Sequence, residues 1–310
     1  MEGMERALGR IPQLRALPLH ALVLEPLPGM TNHSYKVSVD GSRYVLRLAG
    51  VGTGDYIDRR AEAHNARVAA AAGVNAEVLF FDPGDGTMLT RYIEGVRLDA
   101  TDLRRDPGGL ARVGRLLRLV HGIPAGFRSY FDVFARMGRY AGVLRGLGGT
   151  PPAGFNDVAA ELRAARVALH AAPVPLAPCH NDPWPPNLVD TGTRLYLVDW
   201  EYSGSNDPAW DLADVSAEAE LDGDQEAVLL EAYCAGPAPR ALRGRVGLYR
   251  AVGHALWAVW GAIQHANGNP DGDFRVYARE RMARAEAALG APSFGRDLAA
   301  VRSGAATGRR

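Results

Sequence analysis

The 310-residue chain has almost no lysine, because 34 of its 35 basic residues are arginines and Lys36 is the single exception. Chemistry that requires a lysine therefore has one candidate. A P-loop needs Gly-Lys-Ser or Gly-Lys-Thr after further glycines, and Lys36 stands in Tyr-Lys-Val, which excludes a P-loop nucleotide site. The glycines at 50, 52 and 54 also fail the dinucleotide-binding fingerprint, because Asp55 stands where its third glycine belongs.

Cysteine, excess charge and long apolar runs are scarce as well. Cys179 and Cys234 are the only cysteines, which fits a reducing compartment better than a disulfide framework. Acidic and basic residues balance at 35 each, so the composition does not indicate a nucleic-acid surface. The first twenty residues lack the apolar core of a signal peptide, and no run reaches the roughly 18 apolar residues of a membrane-spanning helix. We predict a cytoplasmic protein with no nucleic-acid partner and no membrane insertion.

The first third of the chain predicts a small antiparallel sheet with one inserted helix. Residues 35–49 form two strand-like runs around the Asp40-Gly41 turn, the strongest short hairpin signal. Residues 77–93 predict a second hairpin, with proline and glycines in its turn. Between the hairpins, residues 55–73 are rich in Ala, Arg and Glu and end at Gly73, as a helix and its C-terminal cap do.

After Gly95 the pattern becomes helical. Apolar residues recur at the spacing of one helix face over 110–120. Six prolines between residues 173 and 186 exclude regular helix there. The run Leu-Tyr-Leu-Val-Asp that follows predicts a brief buried strand. Further helices are predicted over 130–147, 156–170 and much of 207–289.

This pattern predicts an α+β fold with two lobes and a short tail. The prediction places a β-rich N-terminal lobe at residues 1–94 and a larger helical C-terminal lobe at residues 95–302. The last residues, 303–310, predict a flexible tail.

The segment from His180 to Asn187, His-Asn-Asp-Pro-Trp-Pro-Pro-Asn, carries the most specific chemical signal, and Asp199 follows twelve residues later. Phosphoryl transfer from ATP needs a carboxylate near the acceptor hydroxyl and oxygen ligands that hold Mg²⁺ against the phosphates. Asp182 and Asn187 in an irregular loop, with Asp199 at the end of a short strand, supply that set. The segment therefore predicts a phosphoryl-transfer site.

The HxDxxxxN pattern with a downstream Asp resembles the protein-kinase-like small-molecule phosphotransferases, which include aminoglycoside and choline/ethanolamine kinases. The run VDWEYSGSNDPAWDLADVSAE is more similar to the choline/ethanolamine branch. The resemblance covers residues 27–281 and implies a bilobal protein-kinase-like fold. It also implies that Asp182 is the catalytic base, that Asn187 and Asp199 bind Mg²⁺, and that Asp211 braces the catalytic loop.

In the N-terminal lobe, the same resemblance implies that residues 27–35 cover the ATP phosphates, with Gly29 and Asn32 nearest the nucleotide. Arg47 stands where a protein kinase has a lysine, and Glu62 is its implied partner. Arginine can bind phosphate oxygens in a bidentate fork and keeps its charge. From the residues alone, a surface arginine beside an unrelated helix acid is the alternative.

An acceptor site is indicated in the C-terminal lobe by Trp257 and Trp260, which share one helix face at i and i+3. Such a pair is also typical of an ordinary hydrophobic core. The resemblance implies that both rings, with Tyr277 and the carboxylate of Glu218, surround the cationic head of the substrate. A quaternary ammonium gains roughly 0.5 to 2 kcal/mol per ring in such a cage.

These observations predict an ATP- and Mg²⁺-dependent kinase whose partner is a small amino alcohol, most simply choline or ethanolamine. Many relatives carry less rigid residues in place of the Pro-Trp-Pro-Pro run of the loop, so the resemblance does not determine which substrate is used. One alternative is another small-molecule kinase, acting on an aminoglycoside or on thiamine. Another is a non-catalytic nucleotide-binding module that regulates a partner. A protein kinase is disfavoured, because the HRD, DFG and APE motifs are missing.

Overall fold

A five-stranded antiparallel sheet forms the N-terminal part of the structure, a computed structural model that describes residues 2–50 and 53–307. The strands are β1 (Val23–Leu27), β2 (His33–Val39), β3 (Ser42–Leu48), β4 (Val78–Phe81) and β5 (Met88–Arg91). They lie side by side in the order β1-β2-β3-β5-β4.

Both predicted hairpins are confirmed. Strands β2 and β3 pair through Val39 and Ser42, and the two turn residues, Asp40 and Gly41, have φ angles of +47° and +75°. A two-residue type I′ turn requires positive φ at both positions, which Asp and Gly tolerate better than most residues. Strands β4 and β5 form the second antiparallel pair.

The predicted inserted helix is confirmed as α2 (Arg59–Ala71). The side chain of Asp58 caps its first turn by accepting hydrogen bonds from the backbone N–H groups of Arg60 and Ala61, both at 3.0 Å. Just beyond its C-terminus, Gly73 has a φ of +72°. This left-handed conformation ends the helix and returns the chain to the sheet.

The N-terminal residues, whose role the sequence leaves open, form helix α1 (Glu2–Arg10) and a turn that lie on the sheet. Leu8, Ile11 and Leu14 are buried in one apolar cluster with Val37 and Leu46 of the sheet. The N-terminal residues therefore cover one face of the sheet. Helix α2 contacts the sheet at strand β4.

The rest of the described chain is predominantly helical. The long helix α9 packs against α7, α10 and α11, and these surround the main apolar core. The helices are α3 (Ala100–Arg105), α4 (Pro107–His121), α5 (Val133–Gly146), α6 (Phe155–Ala171), α7 (Ala209–Glu218), α8 (Gly223–Cys234), α9 (Arg240–Ala266), α10 (Phe274–Gly290) and α11 (Pro292–Thr307). With strands and helices segregated in this way, the predicted α+β class is confirmed.

Short strands frame the proline-rich segment. They are β6 (Val96–Arg97), β7 (Ala177–Cys179), β8 (Leu188–Asp190), β9 (Leu195–Leu197) and β10 (Gly204–Asn206). Strand β8 pairs with β6 and β9, and β7 pairs with β10. The loop that carries the phosphoryl-transfer signal therefore starts and ends on strands that belong to two different small sheets.

The C-terminal end is more regular than the sequence suggests. Helix α11 continues to Thr307, into the stretch predicted as a tail, while residues 308–310 lie outside the described part of the chain. The division into lobes at residues 94 and 95 stays a prediction. Among the described helices, none has the length and apolarity needed to cross a membrane.

Candidate active site

Asp211, at the start of α7, holds the loop between β7 and β8 through hydrogen bonds. Its two carboxylate oxygens accept the backbone N–H groups of His180 and Asn181, each at 2.8 Å. One of them also lies 3.0 Å from Nε2 of His121. Asp211 is fully buried, so solvent does not compete with the backbone N–H groups for its carboxylate oxygens. The position of Asp211 is thus the bracing position that the sequence resemblance implies.

Asn181 takes an unusual backbone conformation in this loop, with a φ of +70°. Its side chain donates to the carbonyl oxygen of Tyr202 at 3.0 Å and accepts from Nδ2 of Asn206 at 2.9 Å. Left-handed φ values in residues other than glycine persist only where the surroundings hold them. The fixed side chain of Asn181 therefore holds the backbone directly before Asp182 in one conformation.

The three residues of the predicted phosphoryl-transfer set, Asp182, Asn187 and Asp199, line one cavity of about 330 Å³. Nδ2 of Asn187 donates to the backbone carbonyl of Asp182 at 3.0 Å. Asp199 has a φ of +67°, which turns the chain sharply after β9. The structure brings together side chains that are up to seventeen residues apart in the sequence.

Burial governs the acids of this cavity. Burial, together with the nearby carboxylates of Asp214 and Asp199, raises the pKa of Asp182 well above its ordinary value. Burial also raises the pKa of Asp199, although the positive charge of Arg47 opposes that effect. A raised pKa brings a carboxylate closer to the proton affinity that suits a general base near neutral pH.

Arg47 and Glu62 are in direct contact, as the resemblance implies. Nη1 of Arg47 binds Oε1 of Glu62 and lies 3.4 Å from Oδ1 of Asp199, and its Nη2 donates to the carbonyl oxygen of Gly86 at 3.1 Å. Arg47 is 3% exposed and Glu62 1%, so the alternative of an unrelated surface pair is wrong. Burial opposes the charge of Arg47, but Glu62 and Asp199 outweigh it and raise the pKa of the guanidinium.

The turn at residues 27–35, which is predicted to cover the phosphates, reaches the same cavity. Gly29 and Asn32 both line it, and a Cβ on Gly29 would lie only 2.8 Å from the carbonyl oxygen of Asn32. The side chain of Asn32 is held by the protein itself. Its Nδ2 donates to Oε2 of Glu201 at 2.9 Å and its Oδ1 accepts from the N–H of Gly50 at 3.3 Å.

Sequence reasoning missed Arg59 and Glu201, which lie between these groups. Nη1 of Arg59 is 2.7 Å from Oε2 of Glu62 and 3.0 Å from Oε2 of Glu201. Burial and the charge of Asp199 raise the pKa of Glu201 to about 7. The spacing of Arg59 and Glu62 at i and i+3 was the available signal, whereas Arg60, two positions before Glu62, does not share its helix face.

Arg97 is a further residue that the sequence did not indicate. Its Nε donates to the carbonyl oxygen of Pro186 at 2.8 Å and its Nη1 to that of Pro28 at 3.0 Å. It thus joins the loop from His180 to Asn187 to the turn at residues 27–35. Arg97 also lines a second cavity, of about 140 Å³, beside Arg47 under the sheet. Both cavities share Ser34, Arg97 and Asp199, so two ligands could meet there.

Four aromatic rings form one wall of the larger cavity. The centroids of Trp257 and Trp260 are 6.1 Å apart, and Trp260 lies 5.7 Å from Tyr277. Tyr202, which sequence reasoning missed, packs on Trp257 at 5.6 Å. The tryptophans are 5% and 6% exposed and contribute to the main core as well. The pair therefore belongs to the core and also lines the cavity, while its part in surrounding a cation stays a prediction.

The charged groups beside these rings are only partly paired. Glu218, which lines the cavity, binds Nη2 of Arg281 through Oε2. Asp214 accepts from Nε1 of Trp257 at 3.1 Å. Within the described chain, the buried side-chain atoms with no hydrogen-bond partner are Arg47 Nε, Tyr202 OH, Asp214 Oδ2, Glu218 Oε1 and Trp260 Nε1. Buried polar atoms are rarely left unpaired, and four of these five belong to the aromatic wall or its support.

The sequence profile of the phosphotransferase enzyme family matches residues 23–245. The chain belongs to this family. A choline/ethanolamine kinase family protein from Mesorhizobium loti is 44% identical, with a TM-score of 0.85 over 98% of this chain and 99% of that one. Protein LicA of Haemophilus influenzae is 30% identical over 80% of this chain and 95% of its own length.

Two LicA structures extend the comparison of this phosphotransferase. The choline kinase LicA of Streptococcus pneumoniae is 26% identical, with a TM-score of 0.79 over 93% of this chain and 99% of that one. A LicA structure determined in complex with AMP is also 26% identical, with a TM-score of 0.74 over 87% and 93%. The predicted bilobal kinase-like fold and the choline/ethanolamine-kinase-like family are confirmed. The protein is a phosphotransferase that acts on an alcohol group, rather than a non-catalytic module.

Replacing Asp211 with Asn tests the bracing of the loop. An amide presents only one oxygen, so one backbone N–H of the loop loses its partner, which costs about 1 to 3 kcal/mol when buried. We expect the free energy of unfolding to fall by that amount and kcat to fall at least about tenfold, as misplaced catalytic groups require. Urea unfolding and steady-state kinetics measure both.

Asp222→Asn is the matched control. Asp222 also accepts two backbone N–H groups, from Asp224 and Gln225, but it is exposed and Asn is an equally good N-cap. We expect its stability and kcat to stay close to the wild-type values. Equal losses in the two variants would contradict the bracing role of Asp211.

Proposed function

We propose that the protein is an ATP- and Mg²⁺-dependent kinase that transfers the γ-phosphate to the hydroxyl of choline, with ethanolamine as a weaker acceptor. One observation carries the proposal: the cavity that contains Asp182 is walled by tryptophan and tyrosine rings, and it meets the cavity beside Arg47 at Asp199. A nucleotide in one and an amino alcohol in the other would meet near Asp182.

The charge of the acceptor cavity supports a cationic substrate. Its described lining contains four acids, Asp182, Asp199, Glu201 and Glu218, and two bases, Arg97 and Arg281. Acids with pKa values raised by burial and by one another lose their protons more readily beside a bound cation, so this lining favours a cationic ligand. The aromatic wall adds the attraction of ring quadrupoles for a quaternary ammonium, which cannot donate hydrogen bonds. The similarity to the choline kinase LicA of Streptococcus pneumoniae supports choline as the acceptor.

Within this proposal, Asp182 would orient the acceptor hydroxyl and take its proton as the hydroxyl oxygen bonds to the γ-phosphorus and the bond to the departing ADP breaks. Arg47, fixed by Glu62, would bind phosphate oxygens. Such catalysis depends mainly on positioning and on neutralising charge, since the transferred phosphoryl group needs little covalent help. The bracing of the loop by Asp211 would keep Asp182 in place during the transfer.

The residues around Asp199 fit a magnesium ion. The donor set consists of the carboxylate oxygens of Asp199 and the Oδ1 of Asn187, whose amide nitrogen is already used by the loop. Hard oxygen ligands of this kind suit Mg²⁺. When bound, the ion would supply positive charge to the phosphates. Asp199 also faces Arg47, so the protein contributes a second positive charge at the same place.

An ADP-release assay with a panel of acceptors tests the proposed substrate. With ATP and Mg²⁺, we expect the highest kcat/KM for choline, a lower value for ethanolamine, and little ADP from thiamine or an aminoglycoside. We expect EDTA to abolish the activity and added Mg²⁺ to restore it. Preference for thiamine or the aminoglycoside would overturn the choline assignment while leaving the phosphotransferase class intact.

Asp182→Asn tests the proposed base. We expect kcat to fall by roughly 10²- to 10⁴-fold, the usual contribution of a general base, while nucleotide binding measured by calorimetry is retained. Asp157→Asn, on the exposed face of α6, serves as the control and should keep full activity. Full turnover in the Asp182 variant would exclude this mechanism.

Trp260→Leu tests the aromatic wall. Nε1 of Trp260 has no partner, so the substitution breaks no protein hydrogen bond, in contrast to replacement of Trp257. Loss of one ring should raise KM for choline about 2- to 30-fold, as roughly 0.5 to 2 kcal/mol of binding corresponds to. KM for ethanolamine should rise less, because its ammonium can donate hydrogen bonds.

Trp260→Phe keeps an aromatic ring and should retain most of the choline affinity. If both variants raised KM for choline and for ethanolamine by the same factor, Trp260 would be a core residue without a specific role in recognition.

A further inference from the structure

Arg59 occupies the centre of a buried chain of charged groups that reaches both cavities. It is the first residue of α2 and only 8% exposed. Besides its contacts with Glu62 and Glu201, its Nη2 donates to Oγ1 of Thr53 at 2.7 Å. One guanidinium therefore binds three different parts of the chain. A planar fork can hold such an arrangement, whereas the point charge of a lysine cannot reproduce it.

One end of this chain is the phosphate clamp. Glu62 uses its two oxygens on two arginines, Oε1 on Arg47 and Oε2 on Arg59. The carboxylate of Glu62 therefore cannot move toward or away from Arg47 without changing its contact with Arg59. The position of the clamp depends on the position of Arg59.

The other end is the acceptor cavity. Oε2 of Glu201, which Arg59 contacts, also accepts from Asn32 of the phosphate-covering turn at 2.9 Å. Glu201 and Asn32 both line the acceptor cavity. A ligand that displaces Glu201 or Asn32 will consequently act on Arg59, and through Glu62 on Arg47.

The space around Arg59 leaves its guanidinium little freedom. Gly86 has a φ of +74°, and a Cβ at this position would lie 2.9 Å from Nε of Arg59. The carbonyl oxygen of the same glycine accepts from Arg47 at 3.1 Å. The turn at Gly86 thus touches both arginines, which favours concerted rather than independent movement of the two side chains.

We propose that Arg59 is a positioning residue that couples nucleotide binding to acceptor binding, by linking Glu62 and Arg47 on one side to Glu201 and Asn32 on the other. This inference rests on the proposed kinase function. A purely structural ion pair would stabilise the fold without making the affinity for one substrate depend on the other. Coupling between two sites is a measurable ratio of affinities, and it is the same in both directions.

Calorimetric titrations of the full-length protein measure this ratio. Choline is titrated with and without saturating AMP-PNP and Mg²⁺, and AMP-PNP is titrated with and without choline. In the wild type we expect each ligand to tighten the other at least about fivefold, the lower end of typical coupling. In Arg59→Gln we expect the ratio to fall to within twofold of unity. Arg60→Met removes the exposed neighbouring arginine and should leave the ratio unchanged.

Arg59→Lys covers the case in which Arg59→Gln does not fold, as judged by circular dichroism, because lysine keeps the buried positive charge. We expect it to lose at least half of the coupling, expressed as the logarithm of the ratio. Unchanged coupling in a folded Arg59 variant would overturn the inference, as would a wild type that turns over choline without coupling. A wild type inert toward choline would instead refute the proposed substrate.

Discussion

Two arginines and two glutamates buried between the sheet and the helical part determine the geometry on which the rest of the site depends. Removing such charges from water is costly, and their mutual attraction compensates only when every group is well paired. The pairs Arg47–Glu62 and Arg59–Glu201, joined through the contact of Arg59 with Glu62, come close to that condition, since Nε of Arg47 is the one unpaired buried polar atom among these four side chains. The network therefore selects one relative position of strand β3, helix α2 and the segment after Asp199, rather than simply adding stability.

The scarcity of lysine takes a different meaning in this light. Arg59 holds two carboxylates and a hydroxyl with one planar group, which is a task for a guanidinium. The single lysine, Lys36, forms an exposed ion pair with Glu25 at 2.8 Å and lies outside the site. In the proposed function, Arg47 takes the phosphate-binding role that a protein kinase assigns to a lysine.

Local patterns were sufficient to predict much of the fold and part of the site. The hairpin at Asp40-Gly41, the capped helix α2 and the loop from His180 to Asn187 each follow from neighbouring residues. The contact between Arg47 and Glu62 followed from the resemblance to a known family.

What the sequence did not reveal depends on pairs that are far apart in the chain. Arg59 and Glu201 are separated by 142 residues, and neither periodicity nor turn chemistry relates positions at that distance. Asp214 was missed because its partner, Trp257, lies on another helix. Helix α1 was missed because it is short and its apolar residues become significant only when the face of the sheet is known. Long-range electrostatic and packing choices therefore require the structure.

Two residues of the proposed acceptor cavity also belong to the hydrophobic core. Trp257 and Trp260 of α9 are almost completely buried, pack edge-to-face and belong to the main core. A pocket lined by such rings is rigid, because moving one ring would open a void in the core. Rigid rings favour a ligand that fits without rearrangement, while the unpaired oxygen of Glu218, which lines the cavity, favours one that carries positive charge. Shape therefore restricts the size of a bound head group and charge restricts its sign, which are the two conditions that the proposed quaternary ammonium substrate has to meet.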